Sequence, residues 1–307
     1  MIFFHRLQNC KICPVVIQIS LFLVFLYFAV LLWPQDLSPV VLIIGGAIQV
    51  LYLAVLSMAT YRPTLSLIEG SLSQLWYLWV GLLCSALNAL LPAKVGTVCR
   101  VALLKRHGLK YSDSLIVLSL FQICNVVLAL LTTVALFLAV DQIELDLEMI
   151  DSDFLEMLAV FLFVVVTIVA VRWLRRSVMT MALRRWVRLL RGYALSTVVF
   201  SAILIVLSSF RLLVISGTTV DAVFSELLFI TSLVSLSGLI SVTPGGIVIR
   251  EAALVSAFVL LGYSANEALP IAILERVIIS ATATGIILFS FLMGARKFLV
   301  TLLRAHL

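Results

Sequence analysis

Charged side chains are scarce in this chain. Asp, Glu, Lys and Arg make up 12% of its 307 residues, against 64% that are hydrophobic. A soluble domain carries about a quarter charged residues, and half that share cannot cover a folded body of this size with water-compatible groups. Soluble and disordered classes are therefore excluded. Cysteine is scarce too: five residues, an odd number scattered in or near apolar stretches, which argues against a disulfide framework. Cys10 and Cys13 form one CxxC beside the first apolar run, without the second pair that a metal site would need. The three histidines, His5, His107 and His306, fall at loops or ends, and no His-Glu-x-x-His, Gly-x-Ser-x-Gly or phosphate-binding glycine loop occurs. Nucleotide-driven chemistry is not expected, and neither is a cofactor or a resident metal.

What the chain has instead is long apolar runs without alternation, which read as membrane-crossing helices rather than strands. About 20 apolar residues cross a hydrocarbon core of about 30 Å. Residues 14–33, 39–59, 113–140, 154–174, 193–213 and 268–294 meet that length. The first run follows His5, Arg6 and Lys11 as a signal peptide would. It is too long for one and lacks a small-residue cleavage motif, so it reads as a retained anchor.

Two further segments are broken. Residues 71–91 are followed by Pro92, Gly96 and a short apolar piece ending at Leu104. Residues 222–242 are followed by Pro244, Gly245, Gly246 and a short piece, 251–261, that reaches only about 16 Å as a helix.

Basic residues give the sidedness. Arg6, Lys11, Arg62, Lys105, Arg106, Lys110, the arginines between 172 and 191, and Arg296, Lys297 and Arg304 fall in one set of loops. The opposite loops hold none, and the largest, 141–156, carries Asp141, Glu144, Asp146, Glu148, Asp151, Asp153 and Glu156. Six crossings place both termini inside, provided each broken segment enters and leaves on one side as a re-entrant hairpin.

The order of elements then repeats. Residues 39–140 read as span, broken hairpin, span, and so do residues 193–294. Pro92 and Pro244 are 152 positions apart, and Gly108 and Gly262, which close the hairpins, are 154 apart. Three crossings separate equivalent positions, so the two units are inverted relative to each other. The fold class expected is an all-α polytopic membrane protein, a single integral membrane domain built as an inverted repeat of span–re-entrant hairpin–span units, with about six full spans plus two re-entrant hairpins. Inverted repeats with broken helices at corresponding positions point to a transporter-like site near the midplane.

Lys94, Arg100, Arg211, Arg250 and Arg276 are the basic residues that sidedness leaves unexplained. Lys94 and Arg100 flank the first break; Arg250 and Glu251 open the short helix after the second. Breaks free backbone groups at membrane depth, and half-helix ends present oriented dipoles that attract anions. Glu275 and Arg276 lie well inside the last span, where ionisable groups face a cavity or a partner. Neighbours on a helix point about 100° apart, so these two pair poorly with each other. Glu275 with Arg250, or Arg276 with Glu251, is the economical arrangement. Arg211 is expected to snorkel to the outer interface. The segment 172–191, which mixes Arg with Trp173 and Trp186, is expected to lie as an amphipathic helix on anionic inner-leaflet lipids and not on nucleic acid.

These residues also carry a resemblance. Val242-Thr-Pro-Gly-Gly-Ile-Val-Ile-Arg-Glu-Ala-Ala-Leu254, then Leu261-Gly262, then Leu274-Glu275-Arg276, resembles the transmembrane domain of the lysylphosphatidylglycerol synthase/flippase family. That family's pattern is Pro-Gly-Gly-x-Gly-x-Arg-Glu, a Gly, then Glu-Arg in the following span. Leu91-Pro-Ala-Lys-Val-Gly-Thr-Val-Cys-Arg100 is similar to its earlier Pro-x-x-x-Gly-Glu-x-x-Arg element. Pro92, Gly96, Arg100, Pro244, Gly245, Gly246, Arg250, Glu251, Glu275 and Arg276 match. Thr97 stands where the family often has Glu, Val248 where it has Gly, and Phe121-Gln122 where it has a Glu-Arg pair.

The resemblance implies a domain that moves a polar-headed lipid between leaflets through a cavity formed by the two hairpins, with Lys94 and the matched residues at the substrate. The chain, ending at Leu307, is expected to lack the family's soluble aminoacyl-transfer domain and to make no aminoacyl lipid itself. The expected function is a flippase-like transporter for a phospholipid or polyprenyl-linked carrier, in a bacterial inner membrane. A membrane-embedded transferase on a lipid-linked substrate, or a lipid-binding accessory subunit, is the alternative.

Overall fold

A computed structural model describes residues 38–68, 73–91, 95–139, 180–217, 220, 222–237 and 248–292. Among these residues the chain is helical, with no strand. The expected spans 14–33 and 154–174 and the acidic loop 141–156 lie outside the described residues.

Helix α1 (Pro39–Ala59) starts where Ser38 caps the amide of Val40 and Pro39 supplies a φ already suited to the first turn. A short α2 (Tyr61–Leu65) follows. Then come α3 (Gln74–Leu90), α4 (Val95–Arg106) and α5 (Tyr111–Ala139). The second half holds α6 (Thr180–Ser216), α7 (Phe224–Ser237), α8 (Ile249–Leu260) and α9 (Ala265–Ser290). Ser264 opens α9 with a capping box: its hydroxyl accepts from the Glu267 amide, and the Glu267 carboxylate accepts from the Ser264 amide at 3.0 Å.

Four apolar stretches, Pro39–Leu65, Tyr111–Phe137, Arg191–Ser216 and Ala265–Ser290, are long enough to cross a membrane. Each reaches about 39 Å as a helix. By contrast α3 and α7 reach about 26 and 21 Å, and α4 and α8 about 18 Å each, less than the hydrocarbon thickness. Large apolar side chains stand outward along the long helices: Ile43 and Leu51 on α1, Leu131 and Val134 on α5, Leu195 and Val199 on α6, Leu288 and Phe289 on α9. In water such faces would drive association; in lipid they are the solvent-matched surface. The chain is an all-α polytopic membrane protein.

Part of the 172–191 segment lies among the described residues. From Thr180 onward it belongs to the same helix as the span, which continues to Ser216 for 37 residues. The backbone after Thr180 thus runs as one helix into the apolar stretch Arg191–Ser216. No proline or glycine occurs between 180 and 191 to break it.

Both short helices after the breaks end alike. At the end of α4, Gly108 has φ +86, with Gly108 N–H donating to the Lys105 carbonyl and Leu109 N–H to the Leu104 carbonyl. At the end of α8, Gly262 has φ +87, with Gly262 N–H donating to Val259 and Tyr263 N–H to Phe258. Both are Schellman caps, in which a left-handed residue satisfies the last carbonyls and glycine carries no Cβ penalty.

Packing follows the same correspondence. Exchanging α1 with α6, α3 with α7, α4 with α8 and α5 with α9 maps five contacting pairs onto contacting pairs; α6–α9, whose counterpart would be α1–α5, is the exception. Thus α1–α3 matches α6–α7, α3–α4 matches α7–α8, α4–α5 matches α8–α9, α3–α9 matches α7–α5, and α1–α9 matches α6–α5, while α1 packs on α6. One apolar core lies among α6, α7, α8 and α9 around Leu227, Ile230, Phe258 and Ile271. A second joins α3 to α4 around Val80, Leu83, Leu87 and Leu103. Gly96 makes the second close: a Cβ there would stand 1.8 Å from the Cys84 carbonyl oxygen.

Candidate functional site

The charges of the second unit converge on α9. Glu275 Oε1 accepts from Arg211 Nη2 at 2.5 Å and from Arg250 Nη2 at 3.0 Å. Arg211 comes from α6 and Arg250 from the first turn of α8. The other guanidinium nitrogen of Arg211, Nη1, donates to Gln49 of α1, and its Cζ lies 5.7 Å from the centre of the Tyr52 ring. One helix step on, Arg276 Nε lies 3.6 Å from Glu251 Oε1. The second oxygen of Glu251 accepts from the Val248 amide at 2.6 Å, closing the start of α8. So adjacent residues of α9 do project apart, and both expected cross-pairs form. Glu275, Arg276 and Arg211 are buried, while the Arg250 side chain keeps 33% of its surface.

Arg211 is the correction. It was expected at the outer interface with its head in water, yet its side chain is 1% exposed and held inside the bundle through both terminal guanidinium nitrogens. A long cation inside apolar helices is costly, and here a carboxylate, an amide and an aromatic face offset that cost. The signal was present: an arginine within an apolar stretch points inward by default, and Gln49 stands in an equally apolar one.

Val248 has φ 78 and ψ −51, a left-handed backbone that a β-branched residue rarely adopts. Among the described residues it is the one non-glycine with positive φ. The glycine of the resembled pattern at this position would enter that conformation without strain. Pro244, Gly245 and Gly246 lie outside the described residues, as do Pro92 and Lys94.

The first unit is built differently. Arg100, on α4 and 7% exposed, donates to the hydroxyls of Thr60 and Tyr77, the latter at 2.6 Å, with its Cζ 4.9 Å from the Tyr77 ring centre. Thr64 shares a hydrogen bond of 2.9 Å with the same Tyr77 hydroxyl. No carboxylate of the described residues lies within ion-pair distance of Arg100. Asn88, near the end of α3, clamps the start of α4: its Nδ2 donates to Thr97 Oγ1 and its Oδ1 accepts the Thr97 amide, both at 3.0 Å.

Beside these groups is a cavity of about 310 Å³ whose polar wall is Thr60, Ser85, Asn88, Thr97, Arg100 and Gln122, with Gly96 and Phe121 also lining it. All its lining residues belong to the first unit. Its wall is shared by α1, α3, α4 and α5. Thr60, Tyr77 and Asn88 were not picked out from sequence; each is a polar residue in or next to an apolar run.

The two units can be compared position by position at the 154-residue spacing that relates Gly108 to Gly262. Thr97 then corresponds to Glu251, and Phe121-Gln122 to Glu275-Arg276. Where the second unit has the Glu251–Arg276 ion pair, the first has neutral Thr97 and Gln122 at the wall of a cavity. Compensated charge fills one site; an uncompensated guanidinium borders open space in the other.

Neither a curated protein nor a solved structure matches the chain. The family model described as the lysylphosphatidylglycerol synthase TM region matches residues 15–287, most of the sequence, and the chain belongs to that family.

Proposed function

We propose that the protein is a flippase-like lipid transporter that moves a polar or anionic-headed lipid between leaflets. The observation that carries this reading is the polar cavity beside Arg100, set among helices whose outer faces are apolar. A guanidinium, hydroxyls and amides at one wall suit a hydrated head group, while the lipid tails stay in the bilayer. The broken helices on either side act as paired re-entrant hairpins of an inverted repeat. The matched caps at Gly108 and Gly262 and the paired packing of α1–α5 with α6–α9 support that reading. Head-group passage involves Gly96 and Arg100 of the first hairpin, with Lys94 and Pro92 at its break. The second hairpin, with Pro244, Gly245, Gly246, Arg250 and Glu251, is tied to α9 through Glu275 and Arg276. Both termini face the cytoplasm of a bacterial inner membrane in this scheme, and the basic stretch 172–191 faces anionic inner-leaflet lipids.

The test is reconstitution in vesicles that hold a phospholipid labelled on its head group in one leaflet. Protein-dependent appearance of the label in the other leaflet supports transport. Equal rates with and without protein, across several head groups, would defeat it.

A further inference from the structure

We propose that the cavity beside Arg100 binds a singly charged phosphate group, the phosphodiester of a lipid head group or a free phosphate, and that the charge network around Glu275 is its compensated counterpart. The lipid source of that phosphate rests on the transport reading above; the site itself does not.

Arg100 supplies the charge. Its two acceptors, Thr60 and Tyr77, are neutral hydroxyls, which orient the guanidinium without cancelling it. A buried cation in this state is costly, and an anion drawn from the cavity is the simplest compensation. One guanidinium matches one negative charge, which a phosphodiester carries; a phosphomonoester carries about −1.5 to −2 near neutral pH.

The second unit shows what removes such a site. At the position equivalent to Thr97 it has Glu251, whose carboxylate already sits against Arg276. Thr97 and Arg100 are three residues apart on α4, so their side chains share a face and lie within reach of each other. A carboxylate at 97 would fill the place of the incoming anion. Threonine leaves it vacant and adds a hydroxyl.

The rest of the wall donates. Gly96 and Thr97 of the first turn of α4 line the cavity, with the Thr97 amide already held by Asn88. Ser85, Ser119 and Gln122 add neutral donors. At about 310 Å³ the space is at the small end of ligand pockets. It admits a head group and leaves two acyl chains outside.

The experiment measures equilibrium binding to the purified full chain in detergent. The probes are dihexanoyl phosphatidylglycerol, inorganic phosphate and dioctanoylglycerol, which lacks phosphate. Saturable binding of the phosphatidylglycerol, weakened about tenfold or more by Thr97→Glu and far less by the uncharged Thr97→Gln, supports the site. Competition by inorganic phosphate supports the same site with free phosphate as its ligand; no competition assigns it to the lipid.

Arg100→Gln should abolish binding. Should that variant fail to accumulate, Thr97→Glu still decides, because it leaves the Arg100 clamp on Thr60 and Tyr77 in place. Equal binding by wild type and Thr97→Glu, or equal binding of dioctanoylglycerol, overturns the proposal. Translocation in vesicles, read on the same preparations, separates the two readings. Binding without translocation keeps the site and defeats transport; translocation without phosphate preference keeps transport and defeats the site.

Discussion

Arg211 and Glu275 meet inside the bundle at 2.5 Å, both almost wholly buried, and Arg250 reaches the same carboxylate oxygen from a third helix. One acid thus ties α8 and α6 to α9. Removing one partner of a buried pair leaves an uncompensated charge and costs about 3–5 kcal/mol. Glu275→Gln strands two guanidinium groups, so its melting temperature in detergent should fall well below wild type. Glu251→Gln removes one partner of Arg276, at a longer 3.6 Å and a more exposed position, and should cost less. Equal losses would contradict the central place given to Glu275.

Gly96 is fixed by the approach of α3. Gly96→Ala puts a methyl 1.8 Å from the Cys84 carbonyl oxygen, so α3 and α4 must part, at about 3 kcal/mol or more. Gly108→Ala meets no atom within 4 Å and bears only the cost of its left-handed φ, about 1–2 kcal/mol. Thermal unfolding of the two variants should rank them in that order; the reverse order would refute the close contact.

Val248 carries backbone strain of about 1–3 kcal/mol. Val248→Gly relieves it and gives back about 0.5–1 kcal/mol through greater freedom of the unfolded chain. The net expectation is a small rise in melting temperature with the Glu251 carboxylate still closing α8. A fall would mean that the side chain of Val248 contributes packing that outweighs its strain.

Tyr77→Phe removes one of the two hydroxyls that hold Arg100, together with its hydrogen bonds to Thr60 and Thr64, a loss of about 1–3 kcal/mol. The ring stays, so the guanidinium keeps its aromatic neighbour. Phosphatidylglycerol binding should weaken while the chain still folds. Unchanged binding would show that Arg100 needs no such support.

Much of this was legible because membrane helices leave few choices. The first described span matches residues 39–59 to the residue, since Ser38-Pro39 and the end of the apolar run bound it. The glycines that end α4 and α8, Gly108 and Gly262, were legible, and both carry Schellman caps. The Arg250–Glu275 and Glu251–Arg276 pairings followed from helical projection alone. What escaped depends on which helices touch. Arg211 looked like an end residue because its own helix says nothing of Gln49, 162 positions earlier. Arg100 was visible as a charge, but its clamp comes from Thr60 and Tyr77 on other elements. The wall of the cavity includes Thr97 and Gln122, neutral residues whose importance appears only beside their charged counterparts.

The most direct measurement is head-group translocation by the full chain in vesicles, comparing wild type with Arg100→Gln prepared to equal abundance. The account predicts protein-dependent transfer of a labelled anionic phospholipid by wild type and its reduction by about tenfold or more in the variant. Transfer at the wild-type rate by Arg100→Gln, with the same folded fraction, would contradict it.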